Sequence, residues 1–311
     1  MTIRTFQPAD EEAQAHIYNQ AAAALPKFKP ATIEEVRRRC KAADFDPRTR
    51  FYAVADGQAV GYATFHANGR VSYPWCLPGH EEQAGPLFQA VVDAMRQRKL
   101  KKAFAAYRED WPVQQQFFLA HGFAKARDMV NFVLDMVDMP TPAARRSTGC
   151  TPFRPADLPA IAQLVPEALR TTALAELERY YLKNSYFAAE SLFVIRREAG
   201  GPPDAVGLVI TNPEYAHPKQ LDASMPCFRL GAFGTEGMQT KRVNGLFSLV
   251  AKATDINRLG LELLAHAVFR QHDTEVETFA AQAPSDAPHL LRFYQHHFRK
   301  QGSFPVLERT L

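Results

Sequence analysis

The stretch Lys241-Arg242-Val243-Asn244-Gly245 combines residue types suited to binding an anion. Lys241 and Arg242 can form charge-assisted hydrogen bonds to phosphate oxygens, and Gly245 lets a ligand approach the backbone closely. The apolar residues that follow predict a helix beginning near Val243, and the unpaired amide protons at a helix start attract phosphate. Taken alone, the same residues also fit a basic turn in front of an amphipathic helix.

The second half of the chain repeats the first. Phe6-Gln7-Pro8-Ala9-Asp10 returns as Phe153-Arg154-Pro155-Ala156-Asp157. Three further pairs of stretches match in the same order. Gln58 corresponds to Asp204, Gly85 to Gly245, and Phe118 to Tyr294. The growing offset predicts residues added to the second copy near 211–227 and 254–275. Ordered recurrence of this kind indicates two tandem copies of one structural unit.

The stretch 140–149 holds prolines and arginines with little apolar content, and is predicted to link two domains, 1–139 and 150–311. Each copy reads as strand, helix, helix, three strands, helix, strand, helix, strand, with Asp10 and Asp157 as helix caps. This order predicts the α/β (α+β) class. Each domain is expected to hold a mixed, mostly antiparallel central sheet flanked by helices.

This order of elements resembles the GNAT superfamily of acyl-CoA-dependent acetyltransferases, twice over and across nearly the whole chain. In that family the diphosphate of coenzyme A lies against a loop similar to Arg/Gln-x-x-Gly-x-Gly/Ala at a helix start. Arg242 to Gly245 match its first four positions, whereas Phe247 stands where a small residue is usual. The resemblance therefore implies acetyl-CoA as cosubstrate, held by residues 241–245.

The two copies differ at the positions that the resemblance marks as functional. Copy one has Glu81 and Glu82 at the place of the basic loop, and carboxylates repel a diphosphate. The family often places a tyrosine near the departing sulfur, which matches Tyr294 in copy two and Phe118 in copy one, and a phenyl ring has no proton to give. The resemblance thus implies that domain 150–311 is catalytic and that domain 1–139 is not.

The implied reaction is direct attack of an amine on the thioester, with Tyr294 protonating the thiolate. A backbone amide of the fourth strand, predicted near residues 227–234, would hold the thioester carbonyl, which makes Leu230 and Ala232 cofactor-binding candidates. Glu236 is the candidate base, with His296 and His297 or a water chain as alternatives. The acceptor, a small-molecule or peptide amine, has no recognisable sequence code.

Bulk properties narrow the classes of protein. The formal charge of +4 is mild for 311 residues and basic residues are dispersed, so we expect no nucleic-acid partner. No apolar run approaches a membrane span, and four scattered cysteines fit a reducing cytoplasm. Histidine-containing stretches lack the spacing of a zinc site, so no metal is expected. A monomer and a homodimer are both compatible with the fused copies.

Two alternatives to an N-acetyltransferase stay open at this point. A tandem GNAT protein can bind or sense acyl-CoA without catalysis. A tandem transferase can also use another donor, such as aminoacyl-tRNA, although the chain has no charged helical arm to hold one.

Overall fold

The computed structural model describes residues 1–41, 45–139, 149–164, 173–183, 187, 189–211, 245–271, 274 and 276–311. They form two compact units: unit 1 is Met1–Ala126 with Phe304–Leu311, and unit 2 is Arg127–Ser303. Each unit therefore takes its last strand from the other half of the sequence. The sequence boundary at 140–149 stays a prediction, while the spatial units are divided at Arg127 and at Phe304.

Unit 1 follows the predicted order of elements. Its helices are α1 (Asp10–Ala22), α2 (Ile33–Cys40), α3 (Ala84–Gln97) and α4 (Pro112–Ala120), and its strands are β1 (Thr2–Thr5), β2 (Arg50–Ala55), β3 (Gln58–Thr64), β4 (Trp75–Cys76) and β5 (Lys102–Ala106). Strands β1 to β4 pair antiparallel in sequence order. Strand β5 pairs antiparallel with the end of the final strand, β12 (Arg299–Thr310). One core packs on α3 and a second core packs on α1.

Unit 2 repeats this arrangement. Its strands are β6 (Ala124–Asp135), β7 (Cys150–Pro152), β8 (Leu192–Ile195), β9 (Ala205–Ile210), β10 (Gly245–Ala251) and β11 (Thr278–Pro284), and its helices are α5 (Leu158–Ile161), α6 (Leu174–Tyr181), α7 (Ile256–Arg270) and α8 (Pro288–His297). The strand order is β7-β8-β9-β10-β11-β6. Every pair is antiparallel except β10 with β11. The predicted class, a mixed and mostly antiparallel sheet flanked by helices, is confirmed.

One predicted helix is wrong, because Gly245–Ala251 is a strand. It pairs with β9 along its whole length and is buried except for Ser248. A continuous apolar run of seven residues fits a buried strand as well as a helix, so its pattern does not separate the two. The match between the stretches at Gly85 and Gly245 is therefore also wrong. The counterpart of α3 is α7, which the sequence analysis treated as added residues.

The repeated Asp10 and Asp157 do not cap helices in the predicted way. The Asp10 carboxylate accepts from the Gln7 amide at 2.6 Å and from Arg4 at 2.7 Å. Asp157 likewise accepts from the Arg154 amide at 2.7 Å and from Arg196 at 2.6 Å. Each carboxylate thus bonds an amide that precedes it and a guanidinium, whereas helix α1 has no side-chain cap. Both copies keep an equivalent ion pair, with its arginine in β1 in the first copy and directly after β8 in the second.

Helices α7 and α8 approach closely at Gly260. A Cβ atom added there would lie 2.5 Å from Cε2 and 2.9 Å from Cζ of Phe293, on the helix that carries Tyr294. The absence of a side chain at Gly260 therefore fixes the distance between these helices.

We expect Gly260→Ala to destabilise unit 2 by about 1–2 kcal/mol, because crowding against Phe293 outweighs the gain in helix propensity. Gly85→Ala in α3 is the matched control, since nothing lies within 4 Å of its added Cβ, and it should leave stability equal or raise it by about 0.5 kcal/mol. Urea unfolding followed by circular dichroism measures both. A Gly260→Ala variant as stable as the wild type would contradict this packing.

Candidate functional site

The parallel strands β10 and β11 separate soon after they meet. They pair only at Gly245 with Phe279 and at Leu246 with Ala280. The other edge of β10 stays paired with β9 to Ala251, so β10 itself remains straight. Within the described part of the chain, no strand covers the β11 side of Phe247–Ala251. Among the described residues, unit 2 therefore has a gap between β10 and β11, where the backbone of β10 has no ladder partner on that side.

Tyr294 of α8 lies at this gap. Its side chain is fully buried and its ring stacks on Phe132, with ring centroids 5.7 Å apart. Burial raises the pKa of Tyr294, while the Leu249 backbone and the Ser248 side chain act to lower it. Neither group completes a hydrogen bond, so the hydroxyl has no partner among the described residues.

The position of the Tyr294 hydroxyl follows from these two neighbours. Leu249 packs in the core beneath α7 and α8, whereas Leu246 and Val250 pack in the core on the opposite face of the sheet. Ser248 alternates with Leu249 and so shares that opposite face. A hydroxyl near both Ser248 and the Leu249 backbone must therefore lie at the open edge of β10, between the two faces.

The free edge of β10 leads to the start of α7. There the Asp255 carboxylate pairs with Arg197, and Lys252 pairs with the buried Asp204. Burial raises the pKa of Asp204, but Lys252 and the Arg197 amide outweigh it and the net shift is downward. The first turn of α7 has no side-chain cap. Helix α7 has 15 residues, and the side-chain charges named here at its start form pairs of opposite sign. An uncapped helix start of this kind is suited to binding an anion.

Unit 1 has the same gap, but a tyrosine closes it. Segment 69–71 bridges to Phe104 of β5 in parallel fashion. Two residues beyond Val71, the Tyr73 amide donates to the Tyr107 hydroxyl at 2.5 Å. At the place of Tyr294 this unit has Phe118, which is fully buried and stacks on Tyr107 with centroids 5.8 Å apart. The free strand amide of unit 1 is therefore already occupied.

The helix start that follows this gap in unit 1 is acidic. The Gly79 amide donates to Glu81 Oε2 at 3.0 Å, and Glu82 accepts from Gln83 at 3.0 Å. Glu81 thus supplies an anion from the chain itself, next to the first turn of α3. The expectation that copy one lost its diphosphate site stays a prediction.

Most of the predicted cofactor-binding residues, and the candidate base Glu236, lie outside the described residues. The cofactor-binding candidates concerned are Leu230, Ala232, Lys241, Arg242, Val243 and Asn244. Gly245 is described, but it begins a strand and not a helix, at the end of β10 opposite to the one that leads to α7. Its missing side chain serves packing, because an added Cβ would lie 2.7 Å from Cδ1 of Phe279. The basis for Gly245 as a phosphate contact is therefore lost.

The two candidate histidines lie on the last turn of α8. His296 is exposed, and the ring of His297 packs on Phe293 with centroids 4.9 Å apart. Burial and the neighbouring His296 lower the pKa of His297. Ser248 and Leu249 were missed by the sequence analysis, because the stretch that contains them was interpreted as a helix.

The described residues contain neither a group suited to holding a metal ion nor a helix suited to crossing a membrane. No group of three histidine, cysteine, aspartate or glutamate side chains is placed to hold a metal ion. No helix there has both the length and the apolar character needed to cross a bilayer.

Solved structures share this architecture over the full chain. A GCN5-related N-acetyltransferase from Sphaerobacter thermophilus has a TM-score of 0.60 at 17% identity, covering 99% of this chain and 95% of its own. A tandem GNAT protein from the clavulanic acid biosynthesis pathway has a TM-score of 0.56 at 13% identity, covering 99% and 98%. A putative acetyltransferase from Pyrococcus horikoshii has a TM-score of 0.51 at 14% identity, covering 100% and 89%.

By sequence, no family model matches the chain and no curated protein is detectably similar to it. At identities of 13–17% the structural likeness shows the fold alone. The fold predicted from the order of elements is confirmed by it.

Removing the hydroxyl of Tyr294 and removing that of Tyr107 should have opposite effects on stability. Tyr294→Phe should raise the stability of unit 2 by about 1 kcal/mol, because a buried hydroxyl without a partner is lost. Tyr107→Phe should lower the stability of unit 1 by about 1 kcal/mol, because the Tyr73 amide loses its acceptor. Urea unfolding measures both, and a loss of stability in Tyr294→Phe would show that its hydroxyl is bonded.

Proposed function

From the tandem GNAT fold that the chain shares with these structures over its whole length, we propose that unit 2 is an acetyl-CoA-dependent N-acetyltransferase. The observation that carries the proposal is the unpartnered Tyr294 hydroxyl beside the uncovered edge of β10. A buried hydroxyl of this kind costs free energy, and such a cost is expected where the group serves a ligand or a reaction. Unit 1 lacks this feature, and we propose that it is not catalytic.

The gap between β10 and β11 would receive the thioester. The free backbone of β10 near Leu249 is the proposed contact for the thioester carbonyl, whose oxygen gains negative charge during attack. The Tyr294 hydroxyl, held near the same peptide, would donate a proton to the thiolate that leaves. The phenol is protonated at neutral pH and has a proton to give, while the raised pKa that burial causes makes it a weaker acid.

The diphosphate of the cosubstrate is proposed to lie at the first turn of α7. The uncapped amides there would donate to the diphosphate, and Lys252, which pairs with Asp204, would add its positive charge. This assignment replaces Gly245 and moves the proposed contact past the end of β10. Lys241, Arg242, Val243 and Asn244, with Leu230 and Ala232, remain candidate contacts outside the described residues.

The proposed reaction transfers an acetyl group to an amine of a small molecule or a peptide. The amine nitrogen forms a bond to the carbonyl carbon and loses a proton to a base, while the carbon–sulfur bond breaks. Glu236 is the proposed base, with His296 and His297 as the alternatives on α8. A cytoplasmic location and a monomer or homodimer complete the proposal.

An alternative function is binding of acyl-CoA without turnover. The acidic Asp255 at the start of α7 adds a negative charge where a diphosphate would lie, which weighs against both functions equally. Arg197 neutralises that charge, so the arrangement does not exclude a diphosphate.

An acetylation screen with acetyl-CoA and an amine library tests the proposal. With the best acceptor, Tyr294→Phe should lower kcat by about 10²-fold and leave the Kd of acetyl-CoA unchanged, because only the proton donor is lost. Tyr107→Phe is the matched control and should leave kcat unchanged. Isothermal titration calorimetry should give one acetyl-CoA site per chain.

Three outcomes would count against the proposal in different ways. Binding without turnover of any amine would favour the sensing alternative. An unchanged kcat in Tyr294→Phe would remove the proton-donor role. Two equivalent sites per chain would show that unit 1 also binds the cosubstrate.

A further inference from the structure

Unit 1 contains a half-buried cation that the fold leaves unused. Arg70 follows the turn at Asn68 and Gly69, and its own amide donates to Asn68 Oδ1 at 3.0 Å. Its carbonyl accepts from the His66 amide at 2.8 Å. On the side of Arg70, both contacts use its backbone and leave the guanidinium out. No hydrogen bond or ion pair within the described residues engages its guanidinium, although the side chain is only partly exposed.

Strand alternation shows which face of the sheet carries Arg70. Val71 packs in the core beneath α3, so its neighbour Arg70 lies on the opposite face, towards α1. Tyr62 and Trp75 pack on that same face. Arg70 also bridges in parallel to Phe104, three residues before Tyr107. The guanidinium therefore belongs to the face that carries the tyrosines and tryptophans of unit 1.

That face forms a wall of aromatic rings around Trp75. Its ring centroid lies 5.1 Å from Tyr18, 5.0 Å from Tyr73 and 6.3 Å from Trp111, each ring meeting it edge to face. Tyr107 stacks on Trp111 at 6.1 Å. Tyr18, Tyr73 and Tyr107 are only partly buried, so the wall reaches the surface of the unit. A planar apolar group would find aromatic surface on several sides here.

A second unpaired cation acts on the same place. Arg39 of α2 is exposed and forms no ion pair in the described residues, whereas Arg37 on the same helix pairs with Glu12 at 2.6 Å. The charge of Arg39 lowers the pKa values of Tyr18 and Tyr62, whose burial raises them. Burial lowers the pKa of Arg70, and Arg39 lowers it further while Tyr107 raises it. No carboxylate contributes to that balance.

We propose that Arg70, with the ring wall of Tyr73, Trp75 and Tyr107, forms a binding site for a small aromatic carboxylate. A guanidinium fork binds a carboxylate through two parallel hydrogen bonds, which would offset the desolvation of Arg70. The ring of the ligand would lie against the aromatic wall. We name these four residues the Arg70 site. It lies in unit 1 and does not depend on acetyl transfer in unit 2.

The protein supplies its own probe for this site. The chain has two tryptophans, Trp75 and Trp111, and both belong to the aromatic wall. Intrinsic tryptophan fluorescence of the full chain therefore reports on unit 1. Benzoate is the probe, and benzamide is its neutral counterpart of almost equal shape. We expect a saturable fluorescence change with benzoate and at least tenfold weaker binding of benzamide, because the charge is needed.

Charge variants complete the test. Arg70→Gln should weaken benzoate binding by at least tenfold, and Arg70→Lys should bind between it and the wild type. Arg70→Gln should fold at least as stably as the wild type, because it removes a partly buried charge without a partner. Arg96→Gln on the exposed face of α3, where Arg96 lies 3.5 Å from Asp93, is the matched control and should bind benzoate normally.

Several results would overturn the Arg70 site. They are the absence of saturable binding of benzoate to the wild type, equal binding of benzamide, and unchanged binding by a folded Arg70→Gln variant. A different result would assign Arg70 to a cosubstrate instead. In that case acetyl-CoA would quench the tryptophan fluorescence, Arg70→Gln would abolish this quenching, and benzoate would have no effect. Loss of acetyl transfer in Tyr294→Phe leaves these readouts unaffected, so the two proposals fail separately.

Discussion

Both units depend on how the chain satisfies the backbone hydrogen-bonding groups of a strand at the point where the neighbouring strand diverges from it. Parallel strands that pair for two residues and then separate leave backbone N–H and C=O groups without a ladder partner. Buried groups of this kind need a partner from a side chain, a water or a ligand. The gap is therefore both a local weakness and a place for recognition. The helices on one face and the remaining strands hold it open, since β10 keeps its full pairing with β9.

The two copies meet this constraint with the same chemical group from different positions. In unit 1 the phenol of Tyr107 comes from the end of β5 and accepts a hydrogen bond from the strand amide. In unit 2 the phenol of Tyr294 comes from α8 and makes no such bond. A closed gap adds stability to unit 1, whereas an open gap in unit 2 keeps polar groups available at a cost. Two copies of one fold allow this difference, because one copy can close its gap while the other keeps a polar group without a partner.

The sequence predicted the fold because its strongest signals are local and periodic. The alternating strands at 50–64 and the amphipathic helix around Tyr294 each indicate their structure without tertiary information. Gly245–Ala251 was misassigned because burial on both faces removes the alternation that marks a strand. That single error moved the proposed diphosphate contact from the start of α7 to Gly245. The Arg70 site was out of reach, because its residues meet only through the pairing of segment 69–71 with β5.

The position of Tyr294 rests on packing that is distant in sequence. Gly260 lets α7 approach Phe293, and Phe132 of β6 stacks on the tyrosine ring from the sheet side. The ring is thus held between a helix contact that admits no side chain and a strand from the first half of the sequence. The side chain is fully buried, so the hydroxyl does not reach solvent. Its lack of a partner is therefore a consequence of the core around it, and the exchange of last strands between the two halves is part of what creates it.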